Sequence, residues 1–148
     1  MMRLLSGLIG LGTIALFLEG CSLSKVLGLE PPGGKPAIMR FVVVTEEGDF
    51  YKIQYSLQDK DLNFTAAEGK LDIYFEDYDS GKVLHKLTFK VRRRDFKKYI
   101  TMMGTEIWAH VILIRKSDVP DWGNRWVRVR LVFTTEDGSQ LEGKGLLL

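Results

Sequence analysis

The chain reads as an all-β protein, an antiparallel β-sandwich of about seven strands, with a small barrel as the alternative. Three observations predict it. Apolar and polar residues alternate with a period of two in one run after another from residue 38 onward, the pattern of half-buried strands. Clusters rich in Gly, Asp, Glu and Ser separate those runs and supply the turns. No long segment carries the 3.6-residue apolar period of an amphipathic helix.

The first run, Ile38 to Val44, ends at the turn signal Glu46-Glu47-Gly48-Asp49. The second, Phe50 to Leu57, sets Tyr51, Ile53, Tyr55 and Leu57 on one side. In the third, Leu71, Ile73 and Phe75 alternate with Asp72, Tyr74 and Glu76. Asp77-Tyr78-Asp79-Ser80-Gly81 makes a hairpin loop to the fourth, where Val83, His85, Leu87, Phe89 and Val91 share a face. Arg94 to Tyr99 is the one short helix candidate. Ile107 to Ile114 is apolar on both faces, as a central strand is. Val127, Val129, Leu131 and Phe133 then alternate with Trp126, Arg128, Arg130 and Val132. Glu136-Asp137-Gly138-Ser139 turns the chain into the last run, Leu141 to Leu147. Phe89 and Phe133 fall in phase with the core.

Short strands at this spacing in a single-domain body resemble immunoglobulin and fibronectin-III modules. That resemblance implies an immunoglobulin-like sandwich over residues 37–148. It rests on strand pattern; no diagnostic motif carries it.

The N-terminus is organised differently. Met1-Met2-Arg3 brings one positive charge, and Leu4 to Leu18 brings none. An uncharged run of about 15 residues has the length of a secretory h-region and is shorter than the roughly 20 needed to span a bilayer. Gly7, Gly10 and Gly12 weaken it as a permanent helix. The chain's one cysteine, Cys21, follows directly, so a disulfide within the chain is excluded.

Leu18-Glu19-Gly20-Cys21 resembles the lipobox of bacterial lipoproteins: a branched apolar residue at −3, a small residue at −1, then cysteine. Glu19 departs from the family, which usually carries a small or apolar residue at −2. The resemblance implies that residues 1–20 are a signal peptide removed after Gly20. It also implies that the Cys21 thiol receives a diacylglyceryl group, and that the new amino terminus is fatty-acylated, typically by palmitate. Two or three acyl chains together anchor stably where one does not. The other reading is an uncleaved anchor with an incidental cysteine; both place the body outside the cytoplasmic membrane. Ser22 stands at +2, where enteric lipoproteins kept in the inner membrane carry aspartate, which implies the outer membrane in an organism that has one. Residues 21–36, with Pro31, Pro32, Gly33, Gly34 and Pro36, read as a tether.

Catalytic and metal chemistry finds little purchase. His85 lies in phase with an apolar face, there is no Gly-x-Ser-x-Gly elbow, and His85 and His110 have no partner at zinc-site spacing. Asp59-Lys60-Asp61-Leu62-Asn63 opens like a calcium loop, but Phe64 stands where glycine must turn the chain and Lys70 where a carboxylate must bind. A looser calcium site from Asp59 and Asp61, or from Asp77 and Asp79, is the remaining form. The expectation is a protein without enzymatic activity, cofactor or resident metal.

Two sets of basic and aromatic residues stand out. Lys90, Arg92, Arg93, Arg94, Lys97, Lys98 and Tyr99 form one; Arg125, Trp126, Arg128 and Arg130, with Trp122 in the preceding loop, form the other. Arginine holds carboxylate or phosphate bidentately and stacks on tryptophan. Alternating cations also guard exposed sheet edges. The formal net charge of +2 is too low for nucleic acid. Trp122, Trp126, Arg128 and Arg130 are therefore the candidate contact residues, either for an envelope protein partner or, together with Tyr78, for a glycan.

Overall fold

The computed structural model describes residues 32–147, and the signal-like segment with Cys21 lies outside them. The described residues form nine strands: β1 (Ile38–Glu47), β2 (Phe50–Gln58), β3 (Phe64–Thr65), β4 (Gly69–Asp77), β5 (Val83–Val91), β6 (Phe96–Ile100), β7 (Glu106–Arg115), β8 (Val127–Thr135) and β9 (Gln140–Leu147). They make two antiparallel sheets packed face to face. The first runs β1-β2-β7-β6, with β3 added against the end of β2; the second runs β5-β4-β8-β9.

The alternation read from sequence is the alternation that buries side chains. Tyr51, Ile53, Tyr55 and Leu57 from β2 meet Leu71, Ile73 and Phe75 from β4 and Val127, Val129, Leu131 and Phe133 from β8, all buried. Leu71 pairs with Phe133 and Ile73 with Leu131 in register, so the inner faces of β4 and β8 form one apolar surface. Tyr55 joins the sheets: its ring meets Phe96 edge-on at 5.7 Å and Phe133 at 6.3 Å. Phe133 is fully buried, whereas Phe89 is only half-buried, because β5 borders its sheet and its inner face is less completely covered.

β1 explains an apolar run that does not alternate. Its register with β2 shifts between Arg40 and Val43, and Phe41 takes a left-handed φ of 56°. The inserted residue keeps Met39 inward and then turns Val42 and Val44 inward as well. These three close on β9 at Gly143 and Gly145. A Cβ on Gly143 would stand 2.7 Å from both Met39 Sδ and Val42 Cγ2, and one on Gly145 2.7 Å from Val44 Cγ2.

Two features differ from the sequence reading. Arg94–Tyr99 is not a helix: Arg93–Asp95 form a single 3-10 turn, and the chain continues as β6. Of β6 only Phe96 is buried, so the segment has no apolar stripe for a helix to bury, while pairing with β7 satisfies its backbone. The end of the proline- and glycine-rich stretch is held to the sandwich. Ala66 N–H donates to the Pro32 carbonyl at 3.1 Å, and Thr65 Oγ1 donates to the Gly34 carbonyl at 3.0 Å.

The registers fix the two ends of the sandwich. Ile38 pairs with Gln58, Gly69 with Thr135, and the β6–β7 hairpin turns beyond Ile100 and Glu106 at this same end. Residues 32–36 dock here, so it is called proximal. The Glu47–Phe50 turn, the β4–β5 loop and the start of β8 mark the distal end.

Candidate functional site

The outer face of the β5-β4-β8-β9 sheet carries most of the candidate residues. Strand parity sends Arg128 and Arg130 outward from β8, next to Glu76 and Tyr74 on β4. Both arginines turn to one carboxylate. Arg128 Nε donates to Glu76 Oε1 at 3.1 Å and Arg130 Nε to Oε2 at 2.9 Å. The Arg130 guanidinium also lies 4.2 Å above the Tyr74 ring, and Lys86 Nζ reaches the same ring at 5.3 Å. Glu76 is buried beneath these partners. Burial raises its pKa, but the hydrogen bonds and charges of Arg130 and Arg128 prevail and hold it below the usual glutamate value.

A second carboxylate continues the network. Asp72 accepts from Thr88 Oγ1 at 2.6 Å and pairs with Lys70 at 3.7 Å and Lys86 at 4.0 Å. The sheet thus answers its outward cations with acidic residues from its own interior strand. This limits what Arg128 and Arg130 offer a ligand.

Trp126 stands differently. It precedes β8 at the distal end and is 57% exposed, beside Tyr78 at 53%. Tyr78 N–H donates to the Trp126 carbonyl at 2.9 Å, which ties the β4–β5 loop to the start of β8. Together with Asp79 and Leu146 these two aromatics line an open recess of about 300 Å³.

Trp122 does not join them. Its indole stacks on Phe75 with ring centres 5.1 Å apart and packs 6.5 Å from Tyr51, closing the distal end of the core. The four candidate contact residues therefore divide three ways: Trp122 in the core, Arg128 and Arg130 in an internal ion-pair network, Trp126 on the surface. Tyr78, Asp79 and Leu146 complete the exposed patch. The sequence offered Tyr78 as a possible partner but gave no sign of Leu146, which the pairing of Arg128 with Leu146 brings alongside.

The residues weighed for catalysis and metal binding hold structural positions. Tyr55 and His110 are cross-strand partners, with the tyrosine oxygen 2.9 Å from Nδ1. Burial lowers the His110 pKa against an opposing pull from Asp95, and burial raises that of Tyr55. His85 lies against Phe75 at 6.3 Å. Asp59 Oδ1 accepts from the N–H groups of Asp61 and Asn63, and Asp77 Oδ1 from that of Asp79, so these carboxylates shape their own loops. Among the described residues no group of three or more His, Cys, Asp and Glu converges as a metal site.

No family model matches this chain, and no curated protein matches it. Comparison with solved structures finds a likeness in architecture. Wild-type OgpA from Akkermansia muciniphila superposes with a TM-score of 0.50 at 13% identity, over 80% of this chain and 29% of that one. The present chain thus spans less than a third of OgpA. A hypothetical protein from Pyrococcus horikoshii OT3 gives 0.42 at 12% identity, over 80% of this chain and 96% of that one. A superoxide reductase in the oxidised state gives 0.38 at 10% identity, over 83% and 99%. At 13% identity the likeness to OgpA is one of fold alone.

Proposed function

We propose that the protein is a lipid-anchored lipoprotein of the cell envelope whose sandwich presents a non-catalytic contact surface to an envelope partner. In this reading Cys21 carries the lipid, residues 22–31 lead to the sandwich, and the body faces away from the cytoplasm, on the outer membrane where the organism has one. The observation that carries the contact surface is the exposed patch of Trp126, Tyr78 and Leu146 at the distal end. Tryptophan and tyrosine are the residues most enriched at binding hot spots, and solvent exposure of both side by side gives the fold nothing. The Arg128 and Arg130 ion pairs with Glu76 link β4 and β8 beside the patch.

The immunoglobulin-like form of the sandwich belongs to the same reading. It is supported by strand order: β1-β2-β7-β6 follows the A-B-E-D sheet of that fold, and β4-β8-β9 follows C-F-G, with β5 alongside.

A second reading is favoured by the recess itself. Two exposed aromatics flanking a cleft with the Asp79 carboxylate also suit a sugar ring, with stacking on the rings and hydroxyls to the acid. Pull-down of the lipidated protein from native envelopes, with mass spectrometry of what accompanies it, tests the first reading. Soluble oligosaccharide that displaces the partner turns the result toward the second. Metabolic fatty-acid labelling tests the anchor: Cys21→Ser abolishes label and membrane retention, and label that persists in this variant overturns it.

A further inference from the structure

We infer that the β6–β7 hairpin is a membrane-docking element that seats the proximal end of the sandwich on an anionic bilayer surface. The hairpin places large apolar side chains where nothing in the described fold covers them: Ile100 is 70% exposed, Met102 105% and Met103 92%. The turn that carries them is well formed. Thr101 N–H donates to the Thr105 carbonyl at 2.8 Å, Gly104 N–H to the Thr101 carbonyl at 2.9 Å, and Gly104 supplies the left-handed residue at φ 82°. Met102 and Met103 are thus displayed by a fixed turn, and a contiguous apolar tip of this kind marks an interaction site.

The charges beside the tip identify the occupant. Residues 92–98 hold Arg92, Arg93, Arg94, Lys97 and Lys98 against Asp95, five positive and one negative, a formal +4. Asp95 accepts from the Arg92 N–H at 2.8 Å, and Glu106 faces Lys98 at 3.9 Å. Lys97 and Lys98 leave β6 on opposite faces, so cations flank the tip on both sides. Apolar residues at the tip and cations behind them match the layering of a membrane surface, with acyl chains below anionic headgroups.

Position agrees. The hairpin emerges at the proximal end, where Pro32 and Gly34 are bound. On the reading above, on which this point rests, Cys21 is in the bilayer, and the 32 − 21 = 11 residues to Pro32 reach at most about 40 Å. The chain leading from Cys21 thus joins the sandwich at the same end as the hairpin, and Trp126 lies at the opposite end.

Site-directed fluorescence tests this on the full chain. Met103→Cys places a polarity-sensitive dye at the tip, since acylated Cys21 leaves no other thiol, and Asp49→Cys places it at the distal turn. In phosphatidylcholine vesicles containing phosphatidylglycerol and nitroxide-labelled lipid, the tip dye shifts to the blue and is quenched, and the distal dye is not. Quenching weakens several-fold without the anionic lipid, and again when Met102→Asp and Lys97→Glu are added. Both are exposed positions, so an unchanged melting temperature confirms that the fold is intact. A tip dye that emits as in water, or equal quenching at both positions, overturns the proposal. Mass spectrometry of the Cys21 peptide separates the two readings. Acylated Cys21 without tip quenching keeps the anchor and removes the docking element. Anionic-lipid-dependent quenching with Cys21→Ser protein keeps the docking element whatever the state of the anchor.

Discussion

Arg130 holds the Glu76 carboxylate at 2.9 Å while its guanidinium lies 4.2 Å over the Tyr74 ring. Cation, anion and aromatic ring come from two adjacent strands, and Arg128 completes the arrangement on the other carboxylate oxygen at 3.1 Å. Hydrogen bonds to charged groups are the strong ones, and Glu76 is buried beneath two partners that stay partly exposed.

Glu76→Ala removes the common acceptor and leaves two guanidinium groups side by side. It is expected to cost about 1.5–3 kcal/mol in urea unfolding. Arg128→Ala is expected to cost less, since Arg130 still neutralises the carboxylate. A loss below about 0.5 kcal/mol for Glu76→Ala would show the pair behaving as an ordinary surface ion pair.

The same pair shows how far the sequence was legible. Strand phase is written in the chain because burial demands alternation, and Val127, Val129, Leu131 and Phe133 lie inward as their spacing requires. Outward parity likewise placed Arg128 and Arg130 correctly. Their use was not legible, because Glu76 is 52 residues from Arg128 and only strand order makes them neighbours. Trp122 misled for a related reason: an indole in a turn-rich loop looks exposed until the loop folds back over Phe75. β6 was missed because its sequence holds one buried residue, and its pairing with β7 is a tertiary fact. The lipobox-like segment and Cys21 lie outside the described residues, so that expectation stands on sequence.

Acid is expected to destabilise the protein in two windows. With the imidazole neutral and its proton on Nε2, Tyr55 donates to His110 Nδ1, and protonation at Nδ1 removes that acceptor. Burial lowers the folded pKa of His110 from 6.5, with Asp95 and Tyr55 the titratable groups around it. The unfolded chain therefore binds the proton first, and stability present above pH 6.5 declines as pH falls below it. Glu76, lowered from 4.5, adds stability that is present above that value and lost as pH falls through its folded pKa. Melting temperature against pH checks both: His110→Asn abolishes the upper decline, and Glu76→Gln reduces the lower, to which Asp137, held below the usual carboxylate range by the Thr135 and Ser139 hydrogen bonds, also contributes.

Glycine is required where chains approach, and the cost of replacing it should track the obstacle. At Gly69 an added Cβ meets the Thr134 carbonyl oxygen of the neighbouring strand and stands 2.9 Å from Phe133 Cε1, with backbone and a fully buried ring both unable to yield. Gly69→Ala is expected to cost about 1–3 kcal/mol by overpacking. Gly143→Ala meets Met39 Sδ, which can move, and Val42 Cγ2, which moves less, so it should cost less than Gly69→Ala. Stability of Gly69→Ala equal to the parent in chemical denaturation would mean that β4 and β8 separate more readily than their register implies.

The two distal tryptophans should separate cleanly in a paired experiment. Trp122 stacks on Phe75 and packs against Tyr51, so truncation opens a gap at the end of the core. Trp122→Ala is expected to cost about 2–4 kcal/mol, near the range for large aromatic truncations and reduced by its partial exposure. Trp126 has most of its surface in water and no aromatic contact with the core, so Trp126→Ala should shift stability by no more than about 0.5 kcal/mol. Partner recovery should follow the opposite order. Trp126→Ala, folded as the parent, loses the envelope partner, and Tyr78→Ala weakens its capture. Trp122→Ala, assayed well below its melting temperature, retains it. Because the Trp126 variant stays folded, loss of the partner can only come from the surface, and full retention by Trp126→Ala and Tyr78→Ala would remove the distal patch as the contact site.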